Sequence, residues 1–197
     1  EGGKRMKIRL TLVSPLTKVR SDREPPAYPG DGPVSMLQGE TLSLQAAYCL
    51  ESFEGSALPA VSVAVESSLP VNARRVFGVP VRYPHTLGKN APADPGGVYP
   101  DLLRAFHPGM GMRLYPERWE ALWLDVAPEP GTAPGLYRLA VRFLDRKGSV
   151  LAEAEAQIEL LKAELPRQRL VTSGRFNADC LAMHYHVPVF SIEHNRI

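Results

Sequence analysis

Residues 137–160 read YRLAVRFLDRKGSVLAEAEAQIEL and contain two segments of alternating apolar and polar residues. Apolar side chains occupy every second position from Tyr137 to Phe143, which is the two-residue period of a half-buried β-strand. The turn-forming residues Asp145 to Gly148 follow directly and lead into a second alternating segment. Two alternating segments joined by a short glycine-containing turn predict a β-hairpin.

The second half of this stretch carries two conflicting signals. Residues 151–165 are rich in alanine, glutamate and leucine, which favour a helix by intrinsic propensity. The apolar residues nevertheless fall on alternate positions, from Ala152 through Ala156 to Leu160, with polar residues between them. We interpret the segment as a strand because packing of one face dominates residue preference in a sheet.

The same alternation recurs toward the amino terminus. It predicts strands at residues 4–13, 42–48, 61–65 and 79–83. Pro80 interrupts the last of these and predicts an edge position, because proline cannot donate a ladder hydrogen bond. Residues 119–126 are apolar on almost every position, which predicts a strand buried on both faces.

The chain has 19 prolines and 16 glycines, which interrupt every long helical pattern in its middle part. Residues 85–113 hold many of them and are predicted to form a long irregular segment, a type of loop that is often functional. We therefore predict a mainly β fold: an antiparallel two-sheet β-sandwich over residues 1–165, with an irregular C-terminal extension over residues 166–197.

Charge and composition exclude several classes of partner. The 23 basic and 21 acidic residues give a net charge of +2 without a basic run, so we predict no nucleic-acid partner. No apolar stretch approaches the roughly 20 residues that span a bilayer, so we predict no membrane partner. Two cysteines and the absence of a secretory apolar segment near residue 1 predict a cytoplasmic protein.

Sequence motifs for common catalytic chemistries are absent. The chain has no Gly-x-Ser-x-Gly, no His-Glu-x-x-His, no phosphate-binding loop and no Gly-x-Gly-x-x-Gly. No cofactor is predicted on this basis. A catalytic triad assembled from residues far apart in the sequence stays possible, because such a triad leaves no local sequence motif.

Several short segments, taken in order, resemble the amino-terminal region of bacterial proteins of glycoside hydrolase family 123 and the related domain of unknown function 4091. The segments are residues 14–19 (SPLTKV), 98–103 (VYPDLL), 120–126 (EALWLDV), 134–137 (PGLY), 175–181 (RFNADCL) and 187–191 (VPVFS).

This resemblance implies a β-sandwich followed by a catalytic (β/α)8 barrel. In such proteins an adjacent Asp-Glu pair serves a substrate-assisted mechanism, in which the Glu is the general acid/base and the Asp steadies the 2-acetamido group. Substrate assistance is a known exception to the usual two-carboxylate scheme. The present sequence contains no two adjacent acidic residues, so no catalytic residue is assigned in it.

Residues 166–197 are accordingly expected to be a linker and the truncated start of a barrel, with residues 187–190 as its first strand. One strand cannot close a barrel, because closure needs every strand to be paired. We expect the chain to be a fragment, inactive alone, whose partner is the C-terminal barrel of the same polypeptide. The parent protein is expected to be a glycoside hydrolase.

Four residues are candidates for substrate binding. Tyr99 and Asp101 lie in the predicted long loop, from which they can reach a neighbouring cleft; alternatively, Asp101 fixes a turn through its side chain. His184 and His194 lie near the expected start of the barrel, and a carbohydrate is the expected ligand. A metal-like cluster in the same segment consists of His184, His186 and His194, with Cys180, Asp179 and Glu193 nearby. The spacing Cys-x3-His-x-His-x7-His matches no strong zinc signature, so no metal is predicted.

Aromatic residues leave a second function open. Trp119 and Trp123 share one face of a strand and could form, with Tyr115, a platform on which sugar rings stack. The competing interpretation places both tryptophans in the core. The first interpretation predicts an independent carbohydrate-binding module, whereas the second agrees with a non-catalytic domain that packs against a barrel and shapes its cleft. A small metalloenzyme built on the C-terminal histidines is a third possibility.

Overall fold

The computed structural model describes residues 6–28, 32–55, 57–81, 97–107 and 109–166, and every regular element in these ranges is a β-strand. The strands are β1 (Met6–Val13), β2 (Val34–Gln38), β3 (Leu42–Phe53), β4 (Ala60–Ser67), β5 (Val71–Val81), β6 (Gly97–Ala105), β7 (Met112–Arg113), β8 (Trp119–Val126), β9 (Gly135–Leu144) and β10 (Val150–Glu164).

The strands form two five-stranded sheets. Sheet A has the order β1-β3-β8-β5-β6, and sheet B has the order β2-β10-β9-β4-β7. The ladders are antiparallel except that between β2 and β10, where Val34 lies opposite Ile158 in a parallel pairing. The predicted mainly β, two-sheet architecture is confirmed.

The predicted hairpin is β9 and β10, so alternation outweighed helix propensity over residues 151–164. Arg142 pairs with Glu153 and Tyr137 with Ile158 along an antiparallel ladder. Asp145 closes the turn, because its carboxylate accepts hydrogen bonds of 2.8 Å from the amides of both Lys147 and Ser149. Gly148 supplies the positive φ, 83°, that the turn requires.

The prediction of an irregular segment over residues 85–113 is wrong for its second half. Gly97–Ala105 is strand β6, which pairs with β5 at the edge of sheet A, and Met112–Arg113 is the short strand β7. Pro100 is tolerated because an edge strand has one side without ladder partners, where a missing amide costs nothing. Residues 82–96 lie outside the described residues.

Strand β5 is also longer than the predicted segment 79–83, since it begins at Val71. Strand β8 pairs with β5 only from Val71 to Val76, whereas Pro80 pairs with β6 alone. Pro80 therefore occupies a local edge within an interior strand, which explains how the proline is accommodated.

The core lies between the two sheets. Leu122, Leu124 and Val126 of β8 point into it, and the Tyr48 and Phe143 rings meet there at a centroid distance of 5.0 Å. The opposite face of β8 contributes to a second buried cluster, which consists of Val13, Val19, Ala47, Cys49, Trp119 and Ala121. Strand β8 is therefore buried on both faces, as its sequence predicts.

One ion pair lies inside this layered structure. The Arg75 guanidinium contacts the Glu120 carboxylate at 3.1 Å, and the hydroxyl of Tyr48 donates to the same carboxylate at 3.3 Å. Burial raises the pKa of Tyr48. Arg75 does not lie on a solvated strand face, because it neutralises a carboxylate that is itself mostly buried.

The two sheets belong to one unit, which spans Glu1–Leu165. The predicted barrel start over residues 166–197 stays a prediction, because residues 167–197 lie outside the described residues. Within the described ranges no helix is long and apolar enough to cross a membrane.

Candidate functional site

The outward face of sheet A is partly covered by the chain between β1 and β2. We call residues 14–28 the covering loop. The side chain of Gln45, on β3, fixes this loop by donating from Nε2 to the carbonyl oxygens of Ser14 and Thr17, at 3.0 and 2.8 Å. The amide of Trp119 donates to the carbonyl of Ser21 at 3.1 Å. These bonds explain how a glutamine that is only 3% exposed is accommodated on an outward face.

An open cavity of about 410 Å³ lies beside the covering loop. Its lining combines the loop with β3, β5, β6 and β8 of sheet A. The apolar residues of the lining are Pro15, Leu16, Val76, Pro100, Leu103 and Trp123. The polar residues are Thr17, Lys18, Gln45 and Asp101. Leu16, at the rim, is 91% exposed.

A hydrogen-bond network holds the indole of Trp123. Its Nε1 donates to Oδ1 of Asp125 at 2.7 Å, and the Ser43 hydroxyl donates to the same oxygen at 2.7 Å. Arg74 forms an ion pair with the second carboxylate oxygen. Although burial raises the pKa of Asp125, the hydrogen bonds from Ser43 and Trp123 and the charge of Arg74 hold it below its usual value.

Asp101 is an unpaired residue in β6. Leu102 lies opposite Phe77 and Pro100 lies opposite Gly78, so Asp101 is the extra residue of a β-bulge. A bulge changes the direction of a side chain relative to the regular strand. Asp101 is exposed and lines the cavity, whereas the alternative in which it fixes a turn is wrong because β6 is a strand.

Tyr99 is the second candidate of this region, and the structure does not bring it to the same place. It is half-buried, pairs with Val79, and does not line the cavity. Its ring instead packs against the guanidinium of Arg20, whose Cζ lies 4.3 Å from the ring centroid. A role for Tyr99 in substrate binding stays a prediction.

His184 and His194 lie outside the described residues, as does Cys180. The expectation that these residues lie near a carbohydrate-binding cleft therefore stays a prediction. In the part of the chain that the structure does describe, no group of three His, Cys, Asp or Glu side chains is arranged to hold a metal ion.

The three aromatic residues of the predicted platform do not form one surface. Trp119 is 6% exposed and packs in the second buried cluster, where the Arg9 guanidinium lies 5.3 Å from its ring centroid. Tyr115 is exposed but does not line the cavity. The core interpretation is therefore confirmed for Trp119, whereas Trp123 lines the cavity and is half-buried.

Sequence reasoning missed Lys18, Leu16 and Gln45 as parts of this site. The sequence does contain a signal for Gln45. It is a long polar side chain in a part of β3 where the neighbouring residues, Leu44, Ala46 and Ala47, are apolar. Its role became visible only with the covering loop in place. The other two lie in a loop, where no periodicity reports the direction of a side chain.

Comparisons by sequence find no relative: no protein-family model and no curated protein matches the chain. Among solved structures, the chain is similar to a family 123 glycoside hydrolase from Clostridium perfringens, studied for glycolipid glycan hydrolysis. The TM-score is 0.56 at 12% identity, over 96% of this chain and 34% of the hydrolase. The N-terminal domain of PorA, with a TM-score of 0.34 at 5% identity over 79% of this chain and 99% of that domain, is too different to indicate a shared fold.

The likeness to the hydrolase shows that the chain shares the fold of part of that protein. The chain spans about a third of the hydrolase's length. The resemblance to family 123 thus has a counterpart in three dimensions, whereas the link to domain of unknown function 4091 has no support from sequence comparison.

Proposed function

We propose that this chain is a non-catalytic β-sandwich domain of a glycoside hydrolase-like protein, which packs against a catalytic barrel and shapes one wall of its cleft. The observation that carries the proposal is the unequal coverage in the structural comparison. Nearly all of this chain, 96%, superposes on only 34% of a family 123 hydrolase, as expected of one domain of a larger enzyme.

The chemistry of the cavity supports a non-catalytic role. Glycoside hydrolysis usually takes two carboxyl groups about 5–10 Å apart, one of which is free to exchange a proton. Asp101 is the one carboxylate among the residues described as lining the cavity. Nearby, Asp125 is engaged by Ser43, Trp123 and Arg74, and its lowered pKa keeps it ionised and unsuited to donating a proton at neutral pH.

The proposal is tested by comparing two purified proteins on one substrate. The 197-residue chain and the complete product of the gene that encodes it are each incubated with 4-nitrophenyl 2-acetamido-2-deoxy-β-D-hexosides. We expect no release of nitrophenol above the blank from the chain, and turnover from a complete product that includes a barrel.

Any of three results would contradict the proposal. Turnover by the chain alone would show that it contains the catalytic groups. A complete gene product with no further domain would show that there is no barrel for this domain to pack against. A complete product that has a barrel yet cleaves none of a panel of aryl glycosides would show that the parent protein is not a glycoside hydrolase.

A further inference from the structure

The cavity beside the covering loop has the composition of a site for a small amphipathic ligand. About 410 Å³ falls within the roughly 300–1,000 Å³ typical of such sites, which are mostly apolar with a few convergent polar groups. Trp123, Leu103 and Val76 supply apolar surface, while Asp101 and Lys18 supply a carboxylate and an ammonium.

The charges of the lining constrain the ligand. Asp101 and Lys18 have opposite signs, so the lining has no net charge that would attract an anion or a cation. Both groups can still form hydrogen bonds, the carboxylate as an acceptor and the ammonium as a donor. The lining therefore fits a neutral ligand that has an apolar face and several hydroxyl groups.

The site is also held in place before any ligand binds. The bond from Trp123 to Asp125 fixes the indole, and the two bonds from Gln45 fix the part of the covering loop that lines the cavity. The bulge in β6 sets the position of Asp101. Fixed binding groups reduce the entropy that is lost on binding, which matters most for a weakly bound ligand.

From these features we propose that the cavity is a saccharide-binding site for one or two neutral sugar rings, with Trp123 as the stacking surface and Asp101 and Lys18 as hydroxyl partners. A sugar ring has C–H groups on its faces and hydroxyls at its rim, which matches this arrangement of an aromatic surface and polar groups. The site goes beyond the packing role proposed above, and it does not depend on the presence of a barrel.

The test is a titration of the ¹⁵N-labelled 197-residue chain, followed by amide chemical shifts. The probes are cellobiose, maltose and N,N′-diacetylchitobiose, each added to about 10 mM because a small neutral ligand is expected to bind with a Kd near 1 mM. We expect at least one disaccharide to shift the indole N–H signal of Trp123 and the amides of Leu16, Lys18 and Leu103.

Variants separate the cavity from the rest of the surface. We expect Trp123→Ala to weaken binding by about tenfold or more, since it removes the stacking surface, and Asp101→Ala to weaken it several-fold. Trp123→Phe, which keeps an aromatic ring, should stay within a few-fold of the wild type. Tyr115→Ala is the matched control, because Tyr115 is an exposed aromatic outside the cavity, and it should bind as the wild type does.

Clear outcomes would overturn the proposal. These are the absence of shifts with all three disaccharides, shifts confined to residues outside the cavity, or equal losses in Tyr115→Ala and Asp101→Ala. A capped apolar tripeptide, acetyl-Ala-Pro-Leu-amide, is titrated in parallel. If it shifts the cavity signals more strongly than any disaccharide does, the cavity is a protein-docking surface instead. Should Trp123→Ala fail to fold, the several-fold loss expected of Asp101→Ala, compared with Tyr115→Ala, still decides the result.

Discussion

The outward faces of the two sheets differ in how they meet the solvent. On sheet B, Arg138 and Arg142 form a ladder of ion pairs with three glutamates, Glu66, Glu153 and Glu155, at distances of 2.6–2.9 Å. On sheet A, the covering loop buries part of the face and leaves a cavity beside it.

This difference shows that similar alternating strands can have outward faces with different physical roles. The charged ladder of sheet B stays in water, where each ion pair contributes little to stability. The face of sheet A holds a second apolar cluster, a fixed indole and a bulged carboxylate. The cavity beside the covering loop therefore adjoins a partly buried, largely apolar part of sheet A, whereas the ion pairs of sheet B form a charged and exposed surface.

The strongest test of this contrast is the substitution Trp119→Ala. Because Trp119 is buried under the covering loop, its loss should lower the free energy of unfolding by about 3–5 kcal/mol. The measurement is urea denaturation followed by circular dichroism. Tyr115→Ala removes a nearby ring that is 45% exposed, and it should change stability by less than about 0.5 kcal/mol. Similar losses in the two variants would mean that the loop does not cover a second core.

An intermediate loss of folding stability is expected when Asp125 is substituted. Its pKa in the folded protein lies below the ordinary value of 3.8, so the carboxylate stabilises the fold above that pH. This contribution is lost as the pH falls through the folded-state pKa. Asp125→Asn should therefore reduce stability by about 1–2 kcal/mol at pH 7, and the difference from the wild type should shrink below about pH 4.

The Asp125 prediction is checked by urea denaturation of both proteins at pH 7, 5 and 3. Asp145→Asn is the comparison on sheet B, since the Asp145 carboxylate lies in the exposed hairpin turn, away from Trp123. It should leave the indole N–H chemical shift of Trp123 unchanged, whereas Asp125→Asn should move it. A stability difference for Asp125→Asn that is constant from pH 7 to pH 3 would contradict the role assigned to this carboxylate.

The smallest loss of folding stability is expected when a residue of the ion-pair ladder on sheet B is substituted. Arg142→Gln removes ion pairs with Glu66 and Glu153, yet it should cost less than about 1 kcal/mol because these groups are solvated. The cost should decrease further in 0.5 M NaCl, since salt screens exposed charges. Unfolding at low and high salt measures it. A loss as large as that of Trp119→Ala would remove the contrast between the two faces.

Much of the fold was predictable because it depends on a local period. Alternation placed β1, β3, β4, β9 and β10, and the continuous apolar run identified β8 as a strand buried on both faces. Strand β6 was missed because Gly97 and Pro100 indicate a loop unless the edge position of the strand is known. Strand β2 was missed because Met36 and Leu37 are adjacent apolar residues, which breaks the alternation after three positions.

The candidate site was less predictable than the fold. Asp101 was selected for its place in a presumed loop, and it does line the cavity, but as the extra residue of a bulge in β6. Trp119 and Trp123 look equivalent in the sequence, since they share one face of β8. Only the covering loop makes the first a core residue and leaves the second in a cavity wall.

For β1, β3, β4, β9 and β10, the alternation in the sequence was enough to predict the strand and the side chains that face the core. This follows because successive side chains in a strand point to opposite faces, so that composition at every second position reports burial. Three features became known only from the folded chain: which strands are neighbours, where β6 bulges, and which outward face is covered. Those features depend on contacts between residues far apart in the chain, such as Gln45 with Thr17 and Trp119 with Ser21, for which no local period exists.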